Sequence, residues 1–252
     1  MSTNQNRRFG GVARLYGEAG YEAFRDSHVL VAGLGGVGSW AAEALARSAI
    51  GELTLVDFDH IAPSNVNRQL HALEGEFGKS KVDSMTQRLK AINPDLKIHA
   101  IDDFLTAENL SQILSMRGDS FVVLDATDDV KMKIALAGFC HKHIPLVMCG
   151  AAGGKLDPTR VIAGDLSKTT QDPLLSKIRY ALRKSHGFPA DPKKRFGITA
   201  IYSDEPRQGT STGGLACSGY GSAVTVTAAF GFSAAACVLD LIQKSAAKRH
   251  RT

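Results

Sequence analysis

No two cysteines lie three residues apart anywhere in this chain of 252 residues. Its four, Cys140, Cys149, Cys217 and Cys237, therefore offer no Cys-x-x-Cys pair, which argues against a structural zinc clamp and against a disulfide framework. The opening segment, MSTNQNRRFGG, lacks the apolar core of a signal peptide, so a reducing cytoplasm is the expected compartment. No internal repeat is visible. Charge is missing altogether from residues 221–239, a stretch nearly as long as a membrane span. Ser222, Thr225, Thr227 and Ser233 dilute that stretch and Asp240 follows at once, so a helix buried against a sheet is expected there and a membrane is not.

The net charge of +5 is concentrated in one place. Residues 176–195 hold Lys177, Arg179, Arg183, Lys184, Lys193, Lys194 and Arg195 against the single acid Asp191, and the rest of the chain is close to neutral. A local basic patch is the footprint of a polyanion partner such as nucleic acid. The same composition also suits a solvated helix face followed by a proline-rich loop.

What the chain does have is residues 28–59, HVLVAGLGGVGSWAAEALARSAIGELTLVDFD. An apolar run leads into Gly33, Gly35, Gly36 and Gly38, a helical pattern runs to about Ile50, and a second apolar run ends at Asp57 and Asp59. This is the order of a nucleotide-binding strand–turn–helix–strand unit. Gly33 makes the tight turn, Gly35 lets backbone approach a phosphate, and Gly38 lets helix and strand pack closely. The helix starting near Ser39 turns its free N–H groups and positive dipole end toward that phosphate. An acid about 20 residues beyond the glycines stands where ribose hydroxyls need an acceptor.

Strand and helix continue to alternate. The patterns predict a short helix within an N-terminal arm at 7–26, a helix at 81–92 with Pro94 just beyond it, and a strand at 96–101. A short helix at 107–114, a strand at 120–125, a helix at 130–143 and a strand at 145–149 follow. Such alternation predicts an α/β fold, a Rossmann-like, mostly parallel sheet with helices on both faces. From residue 155 the pattern changes to a strand at 160–163, a helix at 172–185, a strand at 198–202, a Gly/Ser/Thr-rich loop at 203–219 and a last helix at about 221–246. We read 155–219 as a C-terminal elaboration of the same domain.

Ligands of such sheets bind beyond the carboxyl ends of the strands. Three of those ends are acidic: Asp57/Asp59, Asp102/Asp103 and Asp125/Asp128/Asp129. Asn65, Arg68, Gln69 and Lys81 lie between the first two. A dinucleotide needs no such cluster, whereas a triphosphate and its transfer chemistry need cations and a metal-holding carboxylate. Arg68 can fork onto phosphate oxygens, Lys81 can act as a point charge, and Asp128 suits Mg²⁺. The ligand expected is therefore a magnesium-bound nucleoside triphosphate. Gly78-Lys79-Ser80 imitates the end of a P-loop, but Leu73 stands where that motif needs its first glycine, and no strand directly precedes it.

Gly-x-Gly-Gly-x-Gly at 33–38, Asp57-Phe-Asp59, Asn65-x-x-Arg68-Gln69, Lys81 and Asp125-Ala-Thr-Asp128 together resemble the adenylation signature of the ubiquitin-activating-like superfamily, whose bacterial members include ThiF, MoeB and HesA. RFGGVARLYG at 8–17, NRQLHAL at 67–73 and GAAGGKLDPTRVIAGDLSKTTQDPL at 150–174 are similar to the branch that dehydrates threonylcarbamoyladenosine in tRNA. The resemblance implies an arm at 1–27 and one adenylation domain at 28–252. It also implies ATP as the triphosphate, activation of a carboxylate as an acyl-adenylate, closure of a ring by an internal nucleophile of the modified nucleoside, and release of AMP and pyrophosphate. On it, Asp57 holds the ribose, Asn65, Arg68 and Lys81 the phosphates, and Asp128 the Mg²⁺. The family's arm supplies an arginine to the partner's ATP in a homodimer, here Arg8 or Arg14, with Arg14 carried as the catalytic candidate. A cysteine desulfurase system is implied as a partner, and the zinc pairs of ThiF and MoeB are absent. Two other readings stay open: activation of a ubiquitin-like sulfur carrier, and a non-catalytic NAD-binding or scaffold protein. The loop at 203–216 looks shorter than its counterpart in the dehydratase branch, and Cys217, before the last helix, reads as a structural thiol.

Overall fold

The computed structural model describes residues 3–115, 120–208 and 220–249. Cys217 and most of the loop before it lie outside the described residues. Seven strands form one sheet: β1 (His28–Ala32), β2 (Glu52–Val56), β3 (Lys97–Ile101), β4 (Phe121–Asp125), β5 (Leu146–Cys149), β6 (Val161–Asp165) and β7 (Thr199–Ser203). Their order across the sheet is β3-β2-β1-β4-β5-β7-β6, parallel throughout except that β6 runs antiparallel to β7. The mostly parallel α/β sheet expected from the alternation is therefore what forms. β1 and β4 are buried along their whole length, as central strands covered on both faces must be.

Side chains alternate between two cores. Val29, Val31, Leu53, Leu55, Val122 and Leu124 pack with α2 (Gly38–Arg47), α3 (Lys81–Ile92) and α7 (Val224–Arg249). Leu30, Ala32, Val123, Leu146 and Met148 pack with α4 (Ala107–Ser115), α5 (Val130–Cys140) and α6 (Pro173–Ser185). The uncharged stretch becomes α7, which buries Val226, Phe230, Ala234 and Val238, a stripe at helical spacing, against the sheet and α2. By length and composition it could cross a membrane; here half of its most apolar window lies inside the fold.

Three boundaries move for local reasons. α2 ends at Arg47 instead of near Ile50, because the chain turns left-handed at Ala49 (φ 66°). α5 stops at Cys140, and Lys142 (φ 68°) turns the chain back toward β5. The N-terminal segment is a long helical stretch, α1 (Thr3–Arg25), broken by non-helical backbone at Gly17 (φ 76°, ψ 161°). Its second half drives Tyr21 and Phe24 into the interior, while Leu15 and Arg14 remain exposed.

Candidate active site

The carboxyl ends of β1, β2 and β4 surround a cavity of about 390 Å³. It is lined by Gly33, Gly35, Gly36, Asp57, Asp59, Asn65, Arg68, Gln69, Lys81, Asp103, Asp128 and Asp129, among others. Of the glycines expected there, only Gly38 is not in the lining, and its place in the loop explains why. A Cβ at Gly38 would fall 1.8 Å from Gly33 O, so the turn closes only without a side chain there. Gly33 itself has φ +84°, which side-chain-bearing residues rarely adopt. At Gly35 an added Cβ would meet nothing nearer than 3.9 Å, so the backbone is open to a ligand.

The Asn65–Leu70 segment is pinned onto this loop. Ser39 Oγ donates to Gly35 O (2.7 Å) and accepts from Leu70 N (3.3 Å), and Trp40 Nε1 donates to Arg68 O (2.9 Å). Asn65 Oδ1 accepts from Ala62 N (3.0 Å), which leaves its amide as the donor end. The stem of Arg68, a half-buried residue, lies over Gly36, and its guanidinium donates to Ser64 O and Asn67 Oδ1 (both 2.9 Å). Gln69 is buried and its Oε1 has no hydrogen-bond partner among the described residues, an orphaned acceptor in a cavity wall.

Lys81, the first residue of α3, is 4 % exposed and sits between two acids: Nζ is 2.6 Å from Asp59 Oδ2 and 3.9 Å from Asp57 Oδ1. Asp57 also accepts from Leu34 N (2.6 Å) and Asp59 N (2.9 Å), so it ties the glycine loop to β2 while retaining further lone pairs. Burial pushes its carboxyl above the usual carboxylate range, and the charge of Lys81 with the two N–H groups only partly pulls it back. His71, buried nearby, is pushed down to about 4 by burial and by the charge of Lys81. It is a neutral ring at physiological pH. Ser80, part of the false P-loop, caps α3 by accepting from Asp83 N.

The acids divide. Asp128 is exposed, lines the cavity, and forms no ion pair or hydrogen bond among the described residues, so its carboxylate is available to a hard cation. Asp129 caps α5 through Lys131 N and Met132 N. Asp125 does not face a ligand: it is wholly buried, 3.1 Å from the equally buried Lys133. Asp102 is exposed outside the cavity lining. Two aromatic residues escaped the sequence reading. Phe58 and Phe104 stack with ring centroids 3.4 Å apart in the cavity wall. Their positions were the available signal, since each directly follows a strand-end acid.

In the arm both Arg8 and Arg14 are exposed, and Arg8 Nη1 donates to Ile92 O at the end of α3 (2.9 Å). The basic patch also divides. Arg179 bonds Thr169 Oγ1, and Arg183 donates to Pro189 O (3.3 Å) with its guanidinium 5.2 Å from the Phe196 ring centroid; both are half-buried. These two brace the fold. Lys177, Lys184, Lys193, Lys194 and Arg195 stay exposed, with Arg195 3.6 Å from Asp165, whose carboxylate also accepts from Phe196 N and Gly197 N and so shapes the loop.

The profile of the ThiF family matches residues 9–251. The chain is similar to the tRNA threonylcarbamoyladenosine dehydratase of Haemophilus influenzae, 46% identical over 250 residues that cover 96% of this chain and 95% of that one. It is similar in structure to the Escherichia coli tRNA N6-threonylcarbamoyladenosine dehydratase in complex with ATP, with TM-score 0.90, 42% identity and 98% of each chain covered. The same E. coli enzyme in complex with AMP matches with TM-score 0.89 and 41% identity, again over 98% of each chain.

Proposed function

The chain belongs to the ThiF family, and on that footing we propose that it is an ATP-dependent tRNA threonylcarbamoyladenosine dehydratase. The observation that carries this is the cavity beyond the glycine turn, which combines an open backbone approach at Gly35, a buried cation at Lys81, a half-buried cation at Arg68 and an uncommitted carboxylate at Asp128. A nucleoside triphosphate satisfies the first three and its Mg²⁺ the fourth, and the ribose offers hydroxyls to the orphaned acceptor of Gln69. ATP and AMP, found with the similar E. coli enzyme, are the ligands at the two ends of such a reaction.

The threonylcarbamoyl carboxylate attacks the α-phosphorus and pyrophosphate leaves. An internal nucleophile of the modified nucleoside then attacks the activated carbonyl, AMP departs, and the side chain closes into a ring with net loss of water. Asn65, through its amide, Arg68 and Lys81 hold phosphate oxygens and offset the charge that gathers on the leaving pyrophosphate. Asp57 and Gln69 accept from the ribose hydroxyls. Mg²⁺, held by Asp128, would neutralise phosphate charge during the displacement. Arg14 reaches the partner's ATP in a homodimer, because Arg8 is already spent on Ile92 O. The work is cytoplasmic, where tRNA is found, and the family points to a sulfur-transfer system as a physical partner.

Formation of AMP and pyrophosphate is expected only with tRNA that carries threonylcarbamoyladenosine; equal turnover with unmodified tRNA, or a requirement for a small carrier protein instead, sinks this reading. The exposed loop cations bear on the RNA. Neutralising Lys193, Lys194 and Arg195 together is expected to weaken tRNA binding and to flatten its dependence on log salt by about one unit for each phosphate that is no longer neutralised. ATP affinity stays unchanged. An unaltered salt slope returns the loop to an ordinary solvated surface.

A further inference from the structure

The geometry points to a transition-metal site at the opposite end of the sheet, formed by His28, Glu52 and His99. It does not depend on the functional reading above. His28 and Glu52 open β1 and β2 and are register partners, while His99 lies in β3 opposite Thr54, two residues beyond Glu52. Strand alternation puts all four side chains on one face of the sheet. His28 Nδ1 is 3.7 Å from Glu52 Oε1, His99 Nε2 is 2.6 Å from the same oxygen, and one ligand atom from each of the three residues lies within 4.8 Å of the others. The glycine loop and its cavity stand at the other ends of these strands, roughly 13 Å away along five residues.

Two imidazoles and a carboxylate are the donor set of zinc and its neighbours in the first transition row. With ligand bonds of about 2.0–2.2 Å, donor atoms around such an ion sit roughly 3.3–3.5 Å apart. The present spacings straddle that value. Side-chain rotation at Glu52 and at the largely exposed His99 (44 % accessible) closes the difference. The fixed member is His28, 5 % exposed, edge-on to Phe121 and hydrogen-bonded at Nε2 to the buried Thr54 Oγ1 (2.8 Å). When Nε2–H donates to that hydroxyl, the Nδ1 lone pair faces Glu52. This is the outer support that metal-bound histidines ordinarily have. With three protein donors, a fourth position is left to water at a surface that His99 keeps open. Such an ion would tie β3, an edge strand exposed along most of its length, to the two strands beside it. This is a different kind of site from the thiolate clamps that the cysteine spacing argues against.

The test is calorimetric titration of the tag-free, full-length chain with Zn²⁺, together with Co²⁺ absorption spectra and thermal unfolding with and without metal. One site per chain is expected, with the visible bands of low-coordinate Co²⁺ and a rise in Tm on zinc addition. Changes to outer support alone cost roughly 10–100-fold in metal affinity, so Thr54→Val should weaken binding within that range and His99→Ala at least as much. His99 is exposed, so its alanine variant should fold, which its metal-free Tm will report. Lys97→Ala removes a nearby positive charge and should bind at least as well as the parent. If His99→Ala binds Zn²⁺ as tightly as the parent, or the parent binds it only weakly with no Co²⁺ bands, the three residues form an ion-pair cluster and nothing more.

Discussion

Replacing Lys81 with alanine is expected to lower kcat/KM for AMP formation by about 10²–10³-fold, the scale seen when one preorganised group that stabilises transition-state charge is removed. The reason lies in what surrounds it. The ammonium is almost fully buried and faces Asp57 and Asp59 at once, so its removal takes a cation from the cavity and exposes two carboxylates to the incoming triphosphate. Both changes oppose ATP. Arginine should not rescue the variant, because its larger planar head does not fit a pocket in which Lys81 is 4 % accessible and its charge is held between two fixed oxygens. Steady-state kinetics with saturating modified tRNA will read the effect, with Tm as the control for folding. A loss of less than about tenfold would place Lys81 in the structure of the loop and outside the chemistry.

The second large effect is on stability. Lys133→Met is expected to destabilise the fold by about 3–5 kcal/mol, because it leaves the charge of Asp125 buried and alone. Neither side chain of that pair has any solvent exposure. Lys133 Nζ also donates to Cys149 O (2.8 Å) and lies 3.4 Å from Asp125 O, so this one ammonium gathers the ends of β4 and β5 under α5. Asp125 Oδ1 in turn accepts from Thr127 N and Thr127 Oγ1 and sets the backbone that leads to Asp128. Urea unfolding measures the cost. The double variant Lys133→Met/Asp125→Asn should regain most of it, since the isolated charge is then gone. A single-variant cost below about 1 kcal/mol would mean that water reaches the site.

Features encoded locally could be read from the sequence. The glycine turn, the acid at the tip of β2 and the helix at Lys81–Ile92 are each set by a short run of residues, and they lie where the spacing put them. The gathering of Asn65, Arg68, Gln69 and Lys81 could be read because parallel strands leave every site-facing end on one side of the sheet. What escaped depends on distant partners. Nothing near Asp125 distinguishes a buried ion-pair member from the exposed acid three residues later; Lys133 does, and only after α5 folds back over β4. Arg179 and Arg183 count as patch charges in a linear window, yet the loop they brace withdraws them from solvent. His28, Glu52 and His99 come from three strands, and only the sheet register shows that they meet.

The place of β7 also shapes how the chain must reach this structure. β7 lies between β5 and β6 although it comes after both in sequence, so it pairs in parallel with one and antiparallel with the other. Until residues 199–203 have been made, one edge of β5, a fully buried strand of sequence Leu-Val-Met-Cys, has no partner. Roughly 50 residues separate the two, which at ribosomal rates of about 5–20 residues per second leaves that apolar edge uncovered for some 2–10 s. That apolar edge is therefore open to mispairing while the chain is being made, between the fifth strand and the seventh.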